Sequence, residues 1–539
     1  MSLLPPHDQK AAVALASIPF TNPFLEERIE LERRALGGAY VGLGPVLRAR
    51  PTATDSFPEL QALRDRTEVL IAAMLARMEK GHEPTSDELR VYEDLSLFAL
   101  YLRFSSRFER LVRAPARQGD GPPTVTFWRE FEDDFRGLFR PRRRTLPSDH
   151  RPALLFAGFF QVERAFTHIF DKIVGGSMPA ARLRAAVWES TFSCDMRRYL
   201  RVLHGTMSDL PTLVVGPSGS GKELVARAIG MSGFIPFDPR TGQFESDSTD
   251  LYAPVNLAAL APSLIESELF GHVKGAFSGA AVERRGWLEK CGRYGAVFLD
   301  EIGELDASIQ VKLLRVLETR HFERVGSTKT HRFAGKVIAA TNRELAAEME
   351  AGRFRHDLYY RLCGDQVTTP SLAEQLADRP EDLPELVRFI ARDSLVRGAA
   401  GGDGPANGDA AAEEVESLTE QVVSWISREL GPGYAWPGNF RELGQCVRNV
   451  MVRGQYRPPS RSRAGGQGLG PVEEFLPQVR AAVLTREELL GRYYALAFYL
   501  SDGNSREAGR RLGVDWRTIR DRLDRPFFER LKASAPRRP

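Results

Sequence analysis

Apolar positions in the first 180 residues recur at helical spacing. Leu60, Leu63, Val69, Leu70, Met74, Leu75 and Met78 form one stripe, and Phe159, Val162, Phe166, Ile169 and Phe170 form another. A repeat of about 3.6 residues with polar positions between predicts helices packed on a core. A phospho-receiver would need strands alternating with helices, acidic strand ends and a late lysine. This stretch has no such alternation and only Lys10, Lys80 and Lys172. Residues 1–182 are therefore expected to be a mostly α domain that is not a receiver, of a type these residues do not specify. From about residue 185 to 395 the pattern changes. Thr212-Leu213-Val214-Val215, Ala296-Val297-Phe298-Leu299 and Lys336-Val337-Ile338-Ala339-Ala340 are short apolar runs separated by helical stretches, which predicts buried strands of a parallel α/β sheet.

Composition divides the rest. A loose break lies at Gly175-Gly176-Ser177-Met178-Pro179, a Gly/Ala/Asp stretch at 398–412 reads as a flexible insertion, and a Pro/Ser/Arg/Gly run at 457–470 reads as a linker. The expected order is a helical domain (1–182), an α/β subdomain (183–370), a helical lid (371–456), a linker (457–480) and a C-terminal three-helix unit (481–530). A chain of 539 residues exceeds one core. Its 42% apolar and 27% charged content is that of an ordinary globular protein. A net charge of +3 rules out a polycation, so any nucleic-acid contact must be local. Cys194, Cys291, Cys363 and Cys446 follow no metal or disulfide spacing and read as reduced thiols. No apolar run is long enough to span a bilayer and Met1–Pro6 has no signal-peptide pattern, so the expected location is the cytoplasm, with no membrane partner.

Candidate chemistry begins at Gly216-Pro217-Ser218-Gly219-Ser220-Gly221-Lys222-Glu223, which follows a predicted strand and opens a helix. Gly216, Gly219 and Gly221 let backbone N–H groups curl around phosphate, and Lys222 supplies the charge for it, as in a P-loop. Glu223 stands where that pattern has a Ser or Thr to meet Mg²⁺. Asp300-Glu301 ends another strand, where ligands bind in such sheets. Asp300 suits Mg²⁺ and Glu301 an attacking water. Asn342 follows the third strand, and Arg355 and Arg361 flank Asp357–Tyr360. Trp436-Pro437-Gly438-Asn439 reads as a turn with Asn439 as a cap, ahead of a helix carrying Arg441. Between P-loop and acidic pair, Gly275-Ala276-Phe277-Ser278-Gly279-Ala280 surrounds one ring and one hydroxyl with small residues, a composition suited to a loop tip. Near the end, Ser505–Leu512, Gly513-Val514-Asp515 and Trp516–Leu523 read as helix, tight turn and helix. Thirteen Lys/Arg face eight Asp/Glu from Arg486 to Pro539, a local basic excess that suits DNA.

In this order the motifs resemble the AAA+ domain of the bacterial enhancer-binding proteins, activators of sigma-54 RNA polymerase. The likeness runs from about Leu213 to Met451 through Gly216–Glu223, Val255–Leu260, Glu266–His272, the 275–280 loop, Phe298–Leu305, Ala340–Arg343, Phe354–Leu362 and Trp436–Leu443. It resumes as a Fis-type end at Ala508, Leu512-Gly513-Val514 and Thr518-Ile519. That family also carries Glu at the eighth P-loop place. The resemblance implies an ATPase using ATP and Mg²⁺, with Lys222 on the phosphates and Asp300 and Glu301 as the Walker B pair. Asn256 would restrain Glu301, Asn342 and Arg441 would be sensors, and Arg355 and Arg361 would reach a neighbouring subunit's ATP in a ring, usually a hexamer. Phe277 and Ser278 would touch sigma-54, with Arg324-Val325-Gly326 in a second loop beside them. Trp516, Arg517, Thr518, Arg520 and Arg522 would meet double-stranded DNA upstream of promoters.

This chain departs from the family pattern at three places. Ser278 replaces the family's Thr, one methyl short. The stretch from Phe234 to Ala253 is unusually long and is expected to form a surface loop. After Leu362, the family's apolar strand and Arg-rich segment are replaced by Cys363-Gly364-Asp365 and Ser371-Leu372-Ala373-Glu374-Gln375. The leading expectation is a sigma-54-dependent activator. The alternative is a DNA-binding AAA+ regulator, repressor or sensor, that has lost sigma-54 contact.

Overall fold

The computed structural model describes residues 3–40, 58–114, 121–122, 124–140, 146–246, 252–399, 408–458, 475, 479, 484–501 and 503–534. The expected linker lies outside them from residue 459 to 470, as does the expected insertion from 400 to 407. Contacts divide the chain into two units, Met1–Val423 with Trp436–Arg448, and Ser424–Ala435 with Asn449–Pro539.

At the centre of the first unit is a five-stranded parallel sheet. Its strands are β1 (Thr212–Val215), β2 (Tyr252–Asn256), β3 (Ala296–Asp300), β4 (Lys336–Thr341) and β5 (Asp365–Thr368), in the order β5-β1-β4-β3-β2. Leu213, Val214, Val297, Leu299 and Ile338 are buried within it, because helices cover both faces of a parallel sheet. The fifth strand was not expected. Asp365-Gln366-Val367-Thr368 has one buried apolar residue, Val367, and among the described residues pairs only with β1. Its start is fixed by the Thr212 hydroxyl, which donates to the Asp365 carboxylate at 2.9 Å.

The N-terminal region is helical, through α1 (Pro6–Ser17), α2 (Glu26–Leu36), α3 (Pro58–Glu79), α4 (Ser86–Arg113), α5 (Trp128–Phe139) and α6 (Pro152–Lys172). Leu63, Leu70, Met74 and Met78 of the first stripe are buried, whereas Val69 is exposed. Next come α7 (Met178–Phe192), α8 (Met196–Arg201) and the P-loop helix α9 (Lys222–Gly230). The boundary expected at residue 182 falls inside α7, which packs on α9 and β5. Ser177 caps α7 with Pro179 in its first turn.

Of the surface loop expected at 234–253, residues 234–246 are instead part of the N-terminal core, and Tyr252-Ala253 open β2. Phe237-Asp238 pairs with Gln243-Phe244 as a small hairpin, and Ile235, Phe237 and Phe244 are at most 6% exposed. The Phe244 ring stacks on Phe160 at 4.1 Å, and Phe237 meets Phe156 at 4.5 Å and Trp128 at 5.0 Å. Its polar tip residues hid three apolar anchors that have no helical or strand period. Residues 247–251 of this stretch lie outside the described residues. Where the hairpin leaves α9, Arg164 of α6 is fully buried and donates to the carbonyls of Met231 and Gly233, and Gln161 donates to Ser232 O at 2.9 Å.

In the second unit, Arg486–Tyr499, Ser505–Leu512 and Trp516–Arg522 form the expected three helices, and a fourth, Arg525–Ser534, follows. Ala508 and Ile519 are buried together. Asn504 and Asp515 cap the second and third helices. Gly509 is required at the turn, since a Cβ there would lie 2.8 Å from Val514 O. Among the described residues no helix is long and apolar enough to cross a membrane.

The hairpin can be tested directly. Phe244→Ala should cost about 3–5 kcal/mol, read as a lower denaturant midpoint for loss of N-terminal helix. A loss of only about 0.5 kcal/mol, the figure for an exposed position, would place the hairpin outside the core.

Candidate functional site

All five strands point their carboxyl ends at one edge, and β1 runs there into the P-loop. Gly216 has φ 148°, and a Cβ on it would lie 2.1 Å from the Thr369 hydroxyl, so the loop rests directly on the chain leaving β5. Ser220 and Thr369 hydroxyls are 2.6 Å apart. Gly221, in the left-handed region at φ 90°, turns the chain into α9. The buried Lys222 ammonium sits within the loop's curl and donates to Gly216 O at 3.0 Å and Pro217 O at 3.2 Å. Glu223 is exposed beside it.

Across the edge, Asn256 of β2 is in register with Asp300 of β3. Burial pushes the Asp300 carboxyl above the usual carboxylate range, against the opposing pull of the Lys222 ammonium. Burial also lowers Lys222, while Glu301 and Asp300 raise it. Glu301 has φ 56° and ψ 53°, a left-handed conformation that costs a non-glycine residue about 1–3 kcal/mol. Its carboxylate accepts from Asn342 N at 3.3 Å. The Asn256–Glu301 contact implied by the resemblance is not made. Asn256 Oδ1 accepts instead from Ala259 N at 3.1 Å.

Arg441 reaches the P-loop, its guanidinium donating to the Ser218 hydroxyl at 3.1 Å. Asn439, at φ 51°, does not cap its own helix. Its amide donates to Ser218 O at 2.9 Å, and its Oδ1 accepts from Leu372 N at 2.9 Å. Phe440 N donates to Gly219 O at 3.0 Å, and a Cβ on Gly219 would lie 2.3 Å from Gly438 O. A cavity of about 290 Å³ opens beside this contact, with Ile173, Val174, Leu224 and Phe440 in its wall. Ile173, Val174, Thr369 and the bridging role of Asn439 were not found from the sequence. Ser177 followed by Pro179 was the available sign that a helix of this core starts before residue 182.

Arg355 and Arg361 lie away from this edge and are engaged within the chain. Arg355 pairs with Asp357 at 2.7 Å, and Arg361 donates to Leu317 O at 2.9 Å. In the 275–280 loop, Gly275 and Gly279 have φ 82° and 108°, with open space where a side chain would project. Phe277 is 40% exposed, its ring edge-on to His272 at 5.0 Å, and Ser278 is exposed. The 324–326 loop packs alongside. Val273 N donates to Val325 O at 3.1 Å, Val325 N donates to Gly271 O at 2.9 Å, and a Cβ on Gly326 would lie 2.8 Å from the Ala276 Cβ. In the second unit Arg517, Arg520 and Arg522 are exposed, while Trp516 and Thr518 are half-buried.

Residues 192–368 match the Sigma-54 interaction domain. The transcriptional regulatory protein ZraR of Salmonella typhimurium is 36% identical over 370 residues, covering 68% of this chain and 74% of its own. ZraR of Klebsiella oxytoca is 36% identical over 333 residues, and the Nif-specific regulatory protein of Azotobacter vinelandii 35% over 329. The chain spans 64% and 52% of those two proteins' lengths. A crystal structure of NtrX from Brucella abortus aligns with 75% of this chain and 79% of its own at 25% identity and a TM-score of 0.38. With its α/β AAA+ core, helical lid and C-terminal helices, the chain belongs to the bacterial enhancer-binding proteins, the family of sigma-54-dependent transcriptional activators.

Proposed function

We propose that the protein hydrolyses ATP as a ring, a hexamer, to remodel sigma-54 RNA polymerase holoenzyme and open promoters, while its C-terminal helices hold it on upstream double-stranded DNA. The observation that carries this reading is the Lys222 ammonium, curled inside the P-loop on two carbonyls and facing Asp300 and Glu301. Phosphate oxygens would replace those carbonyls as its acceptors, and the N-terminus of α9 would add its dipole. The cavity beside Ile173 and Phe440 would take the base and sugar. Asp300, a partly buried carboxylate at a strand end, fits Mg²⁺. When bound, the ion would neutralise phosphate charge. With a carboxylate rather than a hydroxyl at Glu223, more of its positioning falls to Asp300.

Glu301 would orient and polarise the attacking water, with Asn342 holding its carboxylate. Arg441 would report occupancy to the lid through Ser218. Arg355 and Arg361 would have to leave Asp357 and Leu317 O to serve a neighbouring subunit. Phe277 and Ser278 would press on sigma-54, and Ser278 forgoes one methyl of contact, worth about 0.8 kcal/mol if fully buried. That missing methyl favours the second reading, a DNA-bound ATPase without sigma-54 contact.

Glu301→Gln should keep binding of a fluorescent ATP analogue and lose hydrolysis by about 10²–10⁴-fold, whereas Lys222→Ala should lose the binding. With ATP, sigma-54 holoenzyme and a matched promoter, the wild type should yield open complexes. Hydrolysis without open complexes, by the wild type and by Ser278→Thr alike, would sink the activator reading. If neither Ser278 nor Ser278→Thr binds sigma-54 with a transition-state nucleotide analogue, the second reading stands. In DNA titrations across salt concentrations, Arg517→Ala and Arg520→Ala should each flatten the log–log slope by about 1 if the residue meets phosphate. Unchanged slopes and affinities would remove both from the DNA interface.

A further inference from the structure

At the opposite edge of the sheet from the P-loop lies a second cavity, of about 340 Å³. Its walls are the residues that precede β1, β3 and β4, together with the far end of α9. Lys336, Arg320, Arg293 and Arg332 line it against a single carboxylate, Asp209. That carboxylate is already paired with Arg320 at 3.1 Å. Lys336 is buried and held by the carbonyls of Met207 and Leu210 at 3.3 and 2.7 Å. Arg293 and Arg332 are exposed at the rim, and neither has an ion-pair partner among the described residues. Arg293 lies over the Tyr294 ring at 5.6 Å.

Two further features point to a ligand. His204 lines the cavity with its ring 4.9 Å from Phe234, and its Nδ1 is buried without a hydrogen-bond partner among the described residues. Buried polar atoms of this kind are rare and call for a partner. Phe234, Tyr294 and Phe333 add aromatic wall. An excess of cations in a concave, partly desolvated site concentrates anions, and the Phe234, Tyr294 and Phe333 rings offer an aromatic ligand a face to pack against in an otherwise polar lining. Gln161 of α6 also lines the cavity and donates to Ser232 O just beyond α9, so an occupant would touch the N-terminal helices and the P-loop helix together.

We propose that this cavity binds a small aromatic anion, a ring bearing a carboxylate or a phosphate, between the N-terminal helices and the base of the sheet. The proposal is independent of how the P-loop is used. The full chain would be titrated with benzoate, phenyl phosphate and, as the uncharged control, benzyl alcohol, with ligand-observed NMR as readout. At least one anion should bind with a Kd below about 1 mM and benzyl alcohol should not. The stronger of the two anions identifies the head group. Arg293→Ala combined with Arg332→Ala, both exposed and therefore tolerant of truncation, should weaken binding by about tenfold or more and leave binding of a fluorescent ATP analogue unchanged. Saturating ATP should not displace the probe. No anion binding, equal binding of benzyl alcohol, an unaffected double variant, or displacement by ATP would each overturn the proposal.

Discussion

Arg164 is buried with no carboxylate partner among the described residues, and the placement of the P-loop helix depends on it. Its guanidinium is held by the carbonyls of Met231 and Gly233, while Gln161, itself bonded to the Tyr199 hydroxyl, takes Ser232 O. A lone buried cation is costly unless oriented dipoles replace its water. The carbonyl end of a helix supplies such dipoles. Burial lowers Arg164 to about 10, which leaves it charged at neutral pH. The helix it holds is nine residues long, about 13 Å, with the phosphate loop at its other end. The N-terminal region is thus joined to the loop by one short, straight element, and α6 packs along it.

Legibility followed how strongly local chemistry constrains each segment. The P-loop, the acidic strand end and the central strands were readable because glycines, apolar runs and paired carboxylates have few other uses in that order. Strand β5 was not, because an edge strand needs one buried side chain and a ladder on one side, and Val367 alone carries no period. The 234–246 hairpin was misread for a related reason. Ile235, Phe237 and Phe244 are anchors set among Pro, Asp, Arg and Gly, and only tertiary packing distinguishes them from a polar loop. Asn439 has the composition of a cap, but its left-handed backbone turns the side chain across to Ser218 and Leu372. The start of α7 was marked by Ser177 and Pro179 and was passed over in favour of a Gly-Gly break.

The groups proposed for catalysis all have partners within the chain. Glu301 accepts from Asn342 N, Lys222 is satisfied by its own loop, and Arg355 and Arg361 have partners inside the chain. Each of these bonds is to a backbone group or an exposed carboxylate, so on the proposed reading an incoming phosphate or a neighbouring subunit would replace a modest interaction rather than break a core. Glu301 is the exception. Its left-handed backbone is strained in place, held between the β3 ladder and the Ile302–Glu304 turn.

Gly326 fits against Ala276 with no room for a methyl group, and the strands below both loops are stitched through Val273 and Val325. The two loops are therefore geared. If the tip carrying Phe277 presses on a partner as proposed, its load would pass to the neighbouring loop, so a push delivered at one point would arrive as the stroke of a two-pronged tool coupled through a glycine.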